Sequence, residues 1–223
     1  MKHIIKSIEP QYFIDAKEKI TNKQQDPWEN DQNIKAIREE LRIDIANEQY
    51  QCCAYCERAI KSNDVTTCDI DHFKKRNLFP RLILDYSNLL VSCKNKRTYC
   101  SGYKDDHFGQ IMGRIAKKHQ LTIQQAYRYI INPVDSADDP EHYFDYLTSS
   151  CKILVKEKLT DFEKEKAMIT IELFNLNHPE LIRARQKALI ETKSHLKSNK
   201  KYTLEELRQK LGFYSFIKKL FCN

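Results

Sequence analysis

Four cysteines fall within the 17 residues of CCAYCERAIKSNDVTTC, Cys52 to Cys68, and an Asp-His pair, Asp71-His72, follows almost at once. This cluster limits the chain more than any other feature. Cys53 and Cys56 form a C-x-x-C knuckle, a spacing that lets two thiolates turn onto one tetrahedral ion at ~2.3 Å. Cys93 and Cys100 supply a second pair, across the longer loop KNKRTY. The expectation is one structural zinc ion on Cys53, Cys56, Cys93 and Cys100; the alternatives are Cys52 or Cys68 as a ligand, or no metal at all. A redox reading is poor, because this C-x-x-C does not open a helix after a strand in a βαβ unit.

Ligation and disulfides are separated by compartment. No apolar run reaches the ~18 residues that span a bilayer. The first residues, MKHIIKSIEPQYF, lack the apolar core of a signal peptide. The expected location is a reducing cytoplasm, where clustered cysteines read as metal ligands or free thiols. Cys151 and Cys222 are expected to be buried thiols.

With 31% charged and 41% hydrophobic residues, four glycines and six prolines, the 223-residue chain reads as soluble and helix-rich. The expected fold class is α+β, mainly helical. The expected organisation is a helical segment over 1–50, a cysteine-braced core over 51–120 and a mainly helical region over 121–223. QYFIDAKEKITN and DQNIKAIREELRIDIANEQY read as helices, the second with Ile34, Ile37, Leu41, Ile45 and Ala46 at helical spacing. LILDYSNLLVSC suits a loop feeding a short strand. FGQIMGRIAKKH and TIQQAYRYII return to a helical pattern, and YFDYLTSSCKILVKEK suits a hairpin. TDFEKEKAMITIELFNL, HPELIRARQKALIETKSHLKS and TLEELRQKLGFYSFIKKLF read as long helices, the last with a Thr203/Glu206 capping box.

The net charge of +7 is unevenly spread. Phe73 to Arg128 holds twelve Lys/Arg against three Asp/Glu, a net +9, and the remainder sums to −2. A solvated face is the bland reading, and a polyanion footprint the sharper one. Asp71-His72 lies where this excess begins. A carboxylate suits Mg²⁺ or Mn²⁺, and neutral imidazole suits proton abstraction near neutral pH. Cleavage of a phosphodiester needs both a deprotonated water and a Lewis acid beside the phosphate. Lys74, Lys75 and Arg76 follow directly and are expected to hold flanking phosphates.

CAYCE at 53–57, DIDHFKKR at 69–76, DYSNLLVSC at 85–93 and CSGYKDD at 100–106 occur in that order. Together they resemble the HNH nucleases, whose ββα-metal motif is often braced by a four-cysteine zinc site. The resemblance narrows to the Septu-type HNH subunit family, PtuB, through LRIDIANEQYQCCAYCE, NPVDSADDPEHYFDY and LNHPELIRAR, and so covers most of the chain. It implies an endonuclease of a prokaryotic anti-phage defence system acting on DNA or RNA. His72 becomes the general base, Asp71 a ligand of a catalytic Mg²⁺ or Mn²⁺, and Asn88 the brace of the loop between the two strands. The family's third position is a His or Asn just after the last cysteine, and here it is Ser101. Asp105, one helical turn on, is the expected second ligand, with Ser101, Asp106 and His107 as alternatives. The chain has no Gly-rich phosphate loop, and the resemblance implies control by an ABC-like ATPase, PtuA. In retron versions a reverse transcriptase with its RNA–DNA product joins the assembly. The wide apolar face of the C-terminal stretch either completes the chain's own core or buries against a partner. Two other classes stay open: a zinc-stabilised nucleic-acid-binding module without catalysis, and a scaffold or toxin-neutralising subunit.

Overall fold

Residues 1–20, 26–197 and 202–221 are described by the computed structural model. The expectation of a buried thiol at Cys222 lies outside them, as do the last residues of the first and next-to-last helical stretches, Thr21, Asn22 and Ser198. The N-terminal segment folds as α1 (Gln11–Glu18), the short α2 (Pro27–Asn30) and α3 (Gln32–Glu48). Asp31 starts α3 by accepting from the backbone N–H groups of Asn33 and Ile34. Ile34, Leu41, Ile45 and Ala46 form its buried stripe, with Ile37 packed at the margin.

β1 (Cys68–His72) and β2 (Leu89–Cys93) pair antiparallel, with Asp71 opposite Leu90 and His72 opposite Leu89. β2 is buried along its whole length, because α3 covers it on one side and α4 (Cys100–His119) on another. That accounts for its uninterrupted apolar start. Gln49, just past α3, fixes the junction. Its side chain donates to the carbonyls of Cys52 and Val91 and accepts from the Val91 N–H. α3 therefore delivers the chain to the cysteine knuckle, which docks on β2 through Ala54 N–H to Val91.

Beyond α4 come α5 (Ile123–Ala126), α6 (Pro140–Tyr143), the hairpin β3 (Phe144–Leu147) and β4 (Lys152–Val155), α7 (Asp161–Leu173), α8 (Pro179–Lys197), α9 (Leu204–Leu211) and α10 (Tyr214–Phe221). The chain is α+β and mainly helical, as its sequence leads one to expect. No helix of the described residues is long and apolar enough to cross a membrane.

Three expectations are corrected. The helical pattern read from Phe108 begins at Cys100, because the inward positions of the first turns are Cys100 and Lys104, which carry no apolar signal. TIQQAYRYII is α-helical only to Ala126 and passes through a 3-10 turn over Tyr127–Tyr129 before Ile130 turns extended, with Tyr127, Tyr129, Ile130 and Ile131 all buried, a run no single helix face accommodates. The C-terminal stretch is two helices. Gly212 breaks it at φ +69, where an added Cβ would stand 2.5 Å from the backbone of both Glu57 and Ala59. The Thr203/Glu206 capping box is present, and Leu207, Phe213, Phe216 and Ile217 are buried in the chain's own core.

Candidate metal centre and the Asp71–His72 site

The ligand atoms of Cys53, Cys56, Cys93 and Cys100 all lie within 4.8 Å of one another. Cys53 Sγ stands 3.7 Å from Cys100 Sγ, and Cys56 Sγ 3.7 Å from Cys93 Sγ. A tetrahedron with ~2.3 Å metal–sulfur bonds has edges of about 3.8 Å. Four buried cysteines thus form a group that could hold a metal such as zinc. Cys52 and Cys68 are buried but outside it, Cys68 turning its thiol to the Lys61 carbonyl at 3.4 Å. Cys151 is likewise a buried thiol. Burial opposes ionisation of Cys53, yet hydrogen bonds from Cys100, Cys56 and Cys93 hold it well below the ordinary thiol value. Burial, with hydrogen bonds to Cys53, Cys56 and Cys93, pushes Cys100 well above it. The Cys53 thiolate is thus favoured at the expense of Cys93 and Cys100, and a cation at the centre of such a group stabilises its thiolates.

His72 closes β1. Its ring meets the edge of Trp28 on α2 at 4.8 Å and 88°. Its Nε2 lies 2.9 Å from the Ile83 carbonyl. A carbonyl only accepts, so Nε2 carries the proton and Nδ1 keeps the lone pair. Burial lowers the imidazole to about 4, with the Ile83 bond opposing the shift. The ring is neutral near pH 7 and can accept a proton.

Asn88 clasps the loop that leaves β1. Its Oδ1 accepts from the Lys74 N–H at 2.7 Å, and its Nδ2 donates to the Lys74 and Leu82 carbonyls at 3.1 and 3.0 Å. These bonds tie the backbone just after His72 to Leu82, the residue before the Ile83 carbonyl that holds His72.

Asp71 is placed otherwise than a free metal ligand would be. Lys104 Nζ contacts Oδ1 at 2.8 Å and Oδ2 at 2.6 Å, and the Tyr55 hydroxyl donates to Oδ2. Burial raises the Asp71 carboxyl above its ordinary value, against the pull of Lys104 and Tyr55. Asp105 lines the same cavity as Asp71 but pairs with Lys75 at 2.9 Å. Among the other residues weighed for that position, Asp106 is clasped by Arg97, His107 stacks on Tyr103 at 3.8 Å, and the Ser101 N–H donates to Ser92 Oγ. Among the described residues, only the four cysteines gather three or more His, Cys, Asp or Glu groups at metal-binding range. The donor set around Asp71 and Asp105, as folded, does not fit a divalent ion.

Asp71, His72, Lys75, Arg76 and Asp105 line one open cavity of about 1040 Å³. Lys74 turns away from it, 5.5 Å from the Phe79 ring centroid, and borders a second cavity. Arg76 is held by Asp26 at 2.5 Å and Glu29 at 2.8 Å, the acidic residues at the start of α2. The basic excess is thus partly neutralised within the chain. Sequence reasoning missed Tyr55 and Lys104. The available signals were a tyrosine inside the knuckle and a lysine four residues after a ligand cysteine, one turn along the same helix face.

No family model matches the chain. It is 26% identical over 215 residues to an Escherichia coli protein named "Retron Ec83 putative HNH endonuclease", an alignment that covers 85% of this chain and 79% of the relative. That likeness supports an HNH nuclease at the level of the family, and does not reach the narrower Septu-type assignment.

Proposed function

We propose that this chain is an HNH-type endonuclease of a prokaryotic defence system, hydrolysing phosphodiester bonds of DNA or RNA with His72 as general base. One observation carries the reading: a neutral imidazole, anchored through Nε2 on the Ile83 carbonyl, stands in the wall of a wide cavity that also contains Lys75 and Arg76. Nδ1 takes a proton from water, the water oxygen bonds to phosphorus, and the bond to the departing sugar oxygen breaks as that oxygen is protonated by solvent. Lys75 offers positive charge to the phosphate. Zinc fits Cys53, Cys56, Cys93 and Cys100, where it would cross-link the knuckle to the start of α4. The Mg²⁺ or Mn²⁺ that the resemblance implies has no free carboxylate at Asp71, both of whose oxygens Lys104 holds.

The retron context named for the relative supports a defence role. In that setting an ABC-like ATPase of the PtuA kind, and a reverse transcriptase with its product, are the proposed controlling partners. The test is cleavage of end-labelled DNA and RNA by the chain assembled with its genetic neighbours. His72→Ala should slow cleavage about 10²–10⁴-fold with zinc content unchanged. Equal single-turnover rates would sink the catalytic assignment.

The engagement of Asp71 by Lys104 favours a second reading, a zinc-stabilised nucleic-acid-binding module without catalysis. That reading expects salt-sensitive binding and no cleavage by wild type in any assembly.

A further inference from the structure

Lys104 is 1% exposed, on a helix otherwise buried through cysteine and apolar side chains. A buried lysine needs acceptors, and this one has as many as it has donors. Its ammonium carries three N–H groups, and these meet Asp71 Oδ1, Asp71 Oδ2 and the His72 carbonyl at 3.0 Å. The Tyr55 hydroxyl adds a further donor on Oδ2, and its ring centroid lies 6.0 Å from the same ammonium.

Both groups that hold Asp71 come from the cysteine cluster. Tyr55 lies between Cys53 and Cys56, and Lys104 one turn after Cys100. Their backbone is therefore fixed by the same elements that gather the thiols. Lys104 cannot drift from Asp71 without giving up three acceptors together while its stem stays inside the core.

We infer that Lys104 is the resident counter-ion of Asp71, and that a divalent ion can use this carboxylate only by displacing it. Lys104 is a positioning residue. It neutralises Asp71 and, through the His72 carbonyl, fixes the backbone of the residue beside it. The inference concerns the site of the nuclease reading but is tested by metal binding, so either can fail without the other.

The test is Mn²⁺ binding, followed by electron paramagnetic resonance, on purified zinc-loaded full-length chain. Wild type, Lys104→Met and Lys104→Met/Asp71→Asn are compared. The expected result is Mn²⁺ binding tightened about tenfold or more in Lys104→Met, with the gain lost in the double variant. Equal binding by wild type and Lys104→Met, or a gain that survives Asp71→Asn, overturns the inference. If Lys104→Met does not fold, wild type is compared with Asp71→Asn. Equal weak binding by these two supports the inference, and a tight wild-type site abolished by Asp71→Asn overturns it.

Discussion

Tyr55, seated between two of the four clustered cysteines, donates its hydroxyl to Asp71 on β1. The ring is fully buried and stacks on Phe174 of the α7 end at 4.0 Å. The knuckle therefore does more than close a metal site: it aims a donor at the residue next to His72.

Removing that donor gives a first prediction. Tyr55→Phe keeps the stack and leaves Asp71 one hydrogen bond short. Bonds to charged groups are worth about 1.5–3 kcal/mol, so Tm should fall by about 3–12 °C for a chain of this size. Zinc content should not change. Differential scanning calorimetry with metal analysis checks both, and an unchanged Tm would remove Tyr55 from the brace.

Purified protein should carry one tightly held zinc per chain. Cys53→Ser should lose it and fail to give a cooperative unfolding transition, since structural zinc contributes about 10–16 kcal/mol in small zinc-dependent folds, as much as a whole domain's stability. Metal analysis and circular dichroism decide this. Cys52→Ser, outside the cluster, should keep its zinc.

The pH profile follows from His72. A base works deprotonated, and burial holds this imidazole down to about 4. Cleavage should therefore be lost only as pH falls through about 4, well below the ordinary imidazole value of ~6.5. For stability the sign is the same: between those two values the unfolded chain binds the proton and the folded chain does not, so stability rises with pH across that window. Single-turnover rates from pH 3.5 to 8 test the kinetic half, and an inflection near 6.5 would place His72 in contact with solvent.

Gly212→Ala should destabilise by more than the ~1 kcal/mol typical of an unfavourable left-handed residue, because its Cβ would meet Glu57 and Ala59 backbone atoms at 2.5 Å. Chemical denaturation measures it. A neutral result would mean that α10 repacks freely.

The parts of the molecule legible in the sequence are those in which one physical rule acts alone. The amphipathic spacing of α3, the turn-bounded β3–β4 hairpin and the Thr203/Glu206 cap each show their cause in adjacent residues. The cysteines that gather are those paired by sequence spacing. The start of α4 was hidden because its core-facing positions are Cys100 and Lys104, chosen for Asp71 and the thiols rather than for apolar burial. The break at Gly212 depends on the backbone of Glu57, far away in sequence. Charge alone marks Lys74, Lys75 and Arg76 for phosphate, and no local pattern announces that Asp26 and Glu29 reach Arg76 across a separation of about fifty residues.

A metal bridging Cys56 and Cys93 joins positions 37 residues apart, and β1, His72 and Asn88 all lie between them. Bound to such a metal, even the unfolded chain holds this stretch as a ring, which removes about 4 kcal/mol of loop-closure entropy in the chain-entropy model. The strand pairing of β1 with β2 then starts from tethered ends. Refolding in the presence of zinc should therefore be faster than in its absence, and a chain stripped of metal must find that pairing across an open coil.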